Sequence, residues 1–246
     1  MLLKKIILNL IYFFDLIIKK NKTSIVISSF PDFCHNALPI YFILSNNKNY
    51  KITWLLEKKE NCNLFKEYVR NKNLTNLDKT KFVSKKSLFG LLSYLTSKYV
   101  FYTHGLYKGV KIPKNKVVIN LWHGMPMKFN GLKHIKNDQF IQKFSYIFVT
   151  SSYFKRVFSE IFPIEHSKII ITGQPVTDIF SKKLKTNLIK TTFNILDANM
   201  IFIWTPTWKV HYKKNVHENN KFPVSEKKEI IPLIKNFQDL SKLILV

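Results

Sequence analysis

The stretch Asn120-Leu-Trp-His-Gly-Met-Pro-Met-Lys128 holds the histidine best placed by its neighbours to do chemistry. His123 follows the apolar run Lys116-Val-Val-Ile119, sits between Trp122 and Gly124, and has Lys128 downstream. Imidazole has an unperturbed pKa of about 6.5, so a neutral His123 can take a proton from an alcohol near pH 7. Gly124 and Pro126 make a tight loop able to hold the ring beside a ligand, and Lys128 can offset phosphate charge. Together they suit attack by a hydroxyl on a phosphoryl or glycosyl donor, where stabilising the phosphates carries much of the catalysis. The plain alternative is a polar turn residue, and His123 taken alone does not decide between the two.

Two later loops share the layout of an apolar strand followed by Gly, Pro, Thr or Asp: Thr172-Gly-Gln-Pro-Val-Thr-Asp-Ile-Phe180 and Trp204-Thr-Pro-Thr-Trp-Lys209. Glycine-rich phosphate loops of the GxGxxG or Walker type are absent from the sequence, so any nucleotide must be held in another way. The seven histidines show no HxxxH or HExxH spacing, the acids include no DxD, and no metal or cofactor is expected.

These loops need strands to position them. Thr23–Phe30 is a short β-branched run, followed by the loop Pro31–Asn36, a helical Ala37–Asn47 and a strand over Tyr50–Lys59. Strand, loop, helix and strand form the repeating unit of a parallel sheet, and the first loop lies at a strand's carboxyl end, where open α/β sheets place ligands. The alternation continues with a helix over Asn63–Arg70, a strand at Lys81–Lys86, a helix at Ser87–Ser97 and a strand ending at His104-Gly105. Further strands are predicted at Lys116–Asn120, Tyr146–Thr150, Ser167–Thr172 and Met200–Thr205, and Ser151 or Ser152 is the N-cap of a helix reaching Phe162. The class is α/β with parallel sheets, and the length suits two domains.

The opening, Met1–Lys20, has an apolar segment bracketed by lysine pairs and too short to span a bilayer, which takes about 20 apolar residues. On a helical wheel Lys4, Lys5, Asn9, Asp15, Lys19 and Lys20 share one side. That pattern predicts a helix lying on an anionic membrane surface; the competing arrangement is a helix docked on its own domain.

Forty Lys and Arg against fifteen Asp and Glu give a net charge of +25, which attracts polyanions. The basic residues are dispersed, with no arginine-rich block and no nucleic-acid-reading motif, so nucleic acid is not an expected partner. Two cysteines without a CxxC are too few for a disulfide framework and fit a cytosolic setting.

Asn120–Lys128 with Gly131 resembles the "LWHGTPLK…G" motif of the CDP-glycerol glycerophosphotransferases, enzymes that build teichoic acids and related capsule polymers. Thr172–Phe180 resembles that family's "G-x-P-R-N-D-x-x-F", Trp204–Lys209 its "APTWR", and Ser28–Leu44 its first strand, loop and helix, with Asn36 at a motif Asn. The resemblance implies a GT-B-like fold, with two Rossmann-like domains of parallel sheet. It implies transfer of glycerol phosphate or a related polyol phosphate from a CDP-linked donor to a hydroxyl of a lipid-linked acceptor, at the cytoplasmic face of the membrane. His123 would be the base, with Asn36, Gly124, Lys128, Gly131, Gly173, Pro175, Asp178, Pro206, Thr207, Trp208 and Lys209 in substrate binding.

The match has departures. Met125 replaces a Thr, Val176 and Thr177 replace Arg-Asn, and Lys209 replaces an Arg, which removes planar bidentate phosphate partners. A His-Pro motif and a Thr-Asp-Tyr-Ser-Ser segment that hold CDP in the family do not occur in the sequence. The expected organisation is a surface helix at 1–20, an acceptor domain at 23–165 and an incomplete donor domain at 166–246, with a complementing chain or a homo-oligomer as a partner. The other readings are a nucleotide-sugar glycosyltransferase and a non-enzymatic, membrane-associated subunit.

Overall fold

The β-branched and aromatic runs do assemble into one parallel sheet. A computed structural model describes residues 2–58, 61–71, 80–125 and 143–181. Contacts divide the chain into Met1–Lys182 and Lys183–Val246, and every described residue lies in the first unit.

Helix α1 (Leu2–Ile17) leads into β1 (Asn21–Ser28), α2 (Ala37–Ser45), β2 (Lys51–Leu56), α3 (Asn61–Asn71), β3 (Thr80–Ser84), α4 (Leu88–Thr96) and β4 (Ser97–Tyr102). Then come β5 (Val117–Asn120), β6 (Tyr146–Val149), α5 (Ser152–Ile161) and β7 (Ile169–Ile171), and a 3₁₀ turn at Pro175–Ser181. The strands form a seven-stranded sheet in the order β3-β2-β1-β4-β5-β6-β7, with every pairing parallel. The first six follow the doubly wound order, so the chain reverses direction of growth between β1 and β4. β7 lies in the stretch expected to open a second domain at 166, and it pairs with β6 as part of this unit.

Period-two alternation distributes the strands' side chains between two layers. Ile25, Ile27, Trp54 and Leu56 pack with Tyr41 of α2 and Phe65 of α3 on one face. Val26, Leu55 and Val100 pack on the other with Tyr94 and Leu95 of α4, against which Ile11 of α1 is laid. A third cluster joins Ile147 and Val149 to Val157, Phe158 and Ile161 of α5. Caps fix the helix starts: Ser87 Oγ accepts from the Gly90 amide, and Ser151 Oγ from that of Phe154.

α1 corrects one expectation. Asp15, read as part of an outward polar face, is fully buried and faces the sheet. Its Oδ1 accepts from Lys20 Nζ at 2.7 Å and from Lys116 Nζ, and the Lys116 ammonium also lies 3.8 Å from the Tyr94 ring centroid. The helix therefore packs on the domain through Leu8, Ile11, Tyr12 and Asp15, while Leu3, Ile6, Leu10, Phe13 and Ile17 stay exposed on the far side. The contacts show the arrangement docked on its own domain. Among the described residues no helix is long and apolar enough to cross a membrane.

Candidate active site

The pairing of β1 with β4 ends at Ser28 and Tyr102, and the loops that follow them, together with the loop after β5, bring three imidazoles together. This is the topological switch point, where open α/β sheets have their ligand crevice. The His123 ring lies 4.2 Å from that of His104, nearly parallel at 15°, and 4.5 Å from the Trp122 ring at 20°. His123 is thus held between two flat faces, with its edge exposed. His35 adds a third ring, 5.9 Å from His104, and Phe30 meets His104 edge-on.

Local backbone conformation sets these positions. Phe33, His35 and Trp122 all have positive φ (60°, 52° and 55°), a strained setting for residues with a Cβ. Gly124, at φ 136°, continues the β5 loop where a side chain is disfavoured. Asn120 Oδ1 accepts from the Trp122 amide at 2.9 Å and shapes the turn that presents His123. Thr103 Oγ1 bonds His104 Nδ1 at 3.0 Å and fixes that ring's rotation.

Asn36 locks the crevice together. Buried at 1% exposure, it donates from Nδ2 to the carbonyls of Leu121 (2.9 Å) and Trp122 (3.2 Å), and its Oδ1 accepts from the Val176 amide at 3.1 Å. Its amide is consumed in joining the loops after β1, β5 and β7. Gly173, at φ 80°, and Pro175 lead the chain from β7 into the Pro175–Ser181 turn, which packs on α2. Asp178 lies exposed on that turn.

The crevice therefore gathers Asn36, His123, Gly124, Gly173 and Pro175. Lys128, Gly131, Pro206, Thr207, Trp208 and Lys209, and with them the Met200–Thr205 strand, lie outside the described residues. His35 and His104 are additions: each follows an apolar strand, a position that marked both loops but not their meeting.

Burial, then the neighbouring charges of His123, His35, Lys85 and Lys108, holds the His104 imidazole down at about 4. Burial, followed by His35, holds His123 below its ordinary value. Burial and the neighbouring His35 thus keep His123 in its basic form at neutral pH. The rings of His104 and His123 meet face to face, and no metal-holding group of His, Cys, Asp and Glu occurs among the described residues. Cys34, nearby, is pushed up to about 11 mainly by burial, which leaves it a thiol.

Comparison with known proteins gives this crevice a lineage. The chain is 23% identical over 215 residues to the teichoic acid poly(glycerol phosphate) polymerase of Bacillus spizizenii, covering 78% of this chain and 52% of that protein. It is 25% identical over 160 residues to the teichoic acid poly(ribitol-phosphate) polymerase of the same organism, covering 56% of this chain and 25% of that protein. This chain therefore spans about half the length of the first relative and less of the second. The fold matches the wall teichoic acid polymerase TagF with a TM-score of 0.69 at 17% identity, over 99% of this chain and 62% of the other. A family described as CDP-Glycerol:Poly(glycerophosphate) glycerophosphotransferase matches residues 10–243. With nearly its whole length matched, the chain belongs to the CDP-glycerol:poly(glycerophosphate) glycerophosphotransferase family.

Proposed function

We propose that this chain serves the transfer of glycerol phosphate, or a related polyol phosphate, from a CDP-linked donor to a hydroxyl of a lipid-linked cell-envelope polymer. The observation that carries the reading is His123: an imidazole with a fixed plane, a free edge and a depressed pKa at the switch point of the sheet. As general base it removes the proton of the acceptor hydroxyl while that oxygen attacks the donor's phosphorus, and CMP leaves with the bond between the phosphates. Asn36 holds the β5 loop that presents the base. In this reading Gly124, Lys128 and Gly131 form the rest of the acceptor side. Gly173, Pro175, Asp178 and the Pro206–Lys209 loop serve the donor, with residues 183–246 as the part of the donor domain that this chain holds.

The acceptor's lipid places the reaction at a membrane. The outer face of α1 offers a continuous apolar arc, and the net charge of +25 favours an anionic, cytoplasmic leaflet. The chain sits there peripherally, alone or with a complementing chain or second copy.

Release of CMP from CDP-glycerol in the presence of a lipid-linked acceptor tests the chemistry. His123→Ala should lower the rate by about 10²–10⁴, the usual share of a general base; an unchanged rate rejects the assignment.

A further inference from the structure

Beside Gly105–Tyr107, which follow His104 in the β4 loop, lies a cavity of about 620 Å³, of the size that takes a small ligand. Its walls are of two kinds. Ile11 of α1, Leu88 and Leu91 of α4, and Leu106 supply an apolar side; Lys85 and Lys86, in the turn between β3 and α4, supply a cationic one. The two ammonium groups share a single carboxylate, Glu57: Lys85 is paired with it closely and Lys86 Nζ stands 3.5 Å from Oε1. One positive charge is left uncompensated, and Lys86 is 75% exposed. The Lys108 side chain crosses Gly105 at the same rim, so closely that a Cβ on Gly105 would meet its Cε at 2.2 Å.

The cavity is built. Tyr107, at φ 48°, donates its hydroxyl to the Lys85 carbonyl at 2.7 Å, and Ser87 Oγ donates to the Ser84 carbonyl at 2.7 Å. Leu88 on its wall and Phe89 just outside it are 69% and 73% exposed, as are the apolar outer residues of α1. An apolar slot that opens onto an apolar surface, with cations on one rim, matches the shape of an amphiphile and not of a bare anion.

We propose that the cavity between α1, α4 and the Gly105–Tyr107 loop binds a single phosphate-bearing membrane lipid, its acyl end against Ile11, Leu88 and Leu91 and its headgroup phosphate at Lys86. The inference rests on the membrane reading above and goes beyond it. It gives the lipid a specific seat, walled in part by Gly105–Tyr107 of the loop that carries His104.

Binding of monomeric dihexanoyl phosphatidic acid to the full chain, measured by isothermal titration calorimetry, tests the seat apart from bilayer docking. One lipid per chain should bind, with inorganic phosphate and dihexanoyl phosphatidylcholine each at least about tenfold weaker, since the first has no acyl end and the second no net negative charge for the lysine rim. Lys86→Glu should weaken binding about tenfold or more, and its exposed position keeps the fold intact. Phe89→Ser, outside the cavity, should leave monomer binding unchanged while reducing flotation with phosphatidylglycerol vesicles. Phosphate binding as tightly as the lipid, or Lys86→Glu without effect, overturns the proposal. Vesicle flotation without monomer binding overturns the seat and leaves the docking face standing; monomer binding without flotation does the reverse.

Discussion

His104 and His123, nineteen residues apart in the chain, stack at 4.2 Å with their rings 15° from parallel. Two imidazoles this close cannot both be charged at little cost, so protons are refused by the native state that the unfolded chain accepts. A histidine whose folded pKa lies below the unfolded value contributes stability that is complete above about pH 6.5 and is lost as pH falls. For His104 the loss extends down towards 4. Urea midpoints should therefore fall between pH 7 and pH 4.5. His104→Phe, which keeps a stacking face and removes the titrating group, should flatten that slope; an equal slope in the variant rejects the account.

Asn36 makes a different demand. Asn36→Leu would leave the Leu121 and Trp122 carbonyls and the Val176 amide buried without their partner. The expected loss is about 3 kcal/mol, from stranded groups worth roughly 1–3 kcal/mol each. A denaturant titration at pH 7 measures it, and CMP release by the same variant should fall because the β5 loop no longer presents His123 in one place.

Asp15 pairs with two buried ammonium groups at once. Asp15→Ala should cost about 3–5 kcal/mol, the range for breaking a buried ion pair from one side. The same logic warns against deleting residues 1–20 to test membrane docking: the deletion also strands Lys116, and lost flotation would then report unfolding. Circular dichroism of the deletion beside the full chain would show this directly.

The docking face is better tested by its own outer residues. Phe13 and Ile17 are 56% and 58% exposed, so Phe13→Ser with Ile17→Ser should leave thermal unfolding nearly unchanged. The pair should abolish most flotation with anionic vesicles, and added salt should weaken what remains.

At Gly124 nothing lies within 4 Å of a would-be Cβ, so Gly124→Ala meets no clash. Its cost is conformational, about 1–3 kcal/mol for a side chain at φ 136°. Comparison with Gly105→Ala, which must displace Lys108, separates backbone strain from crowding in chemical denaturation.

Much of the sheet was legible because each strand is a short apolar run closed by polar loop residues. Ile25–Ile27, Ile52–Leu56 and Ile169–Ile171 declare themselves, and Ser151 announces α5 as its cap. His123 was legible through its loop and its motif. The histidine cluster was not, since His35 and His104 come from separate loops and only the side-by-side pairing of β1, β4 and β5 brings them to His123. Asp15 misled for a related reason: on a helical wheel it aligns with lysines, but its partner Lys116 lies 101 residues away and nothing local reveals it. Asn36 was found through its motif, while its work as a three-way clamp depends on loops far apart in the chain.

The Asp15–Lys116 pair also sets a distance. Lys116 immediately precedes β5 and His123 closely follows it. A central strand of a parallel sheet does not stretch, so at about 3.3 Å per residue the four residues of β5 set roughly 13 Å between the point where α1 is fastened and the loop that carries His123. β5 is in this sense a strut: wherever the outer face of α1 rests, the His123 loop is carried at one fixed remove from it.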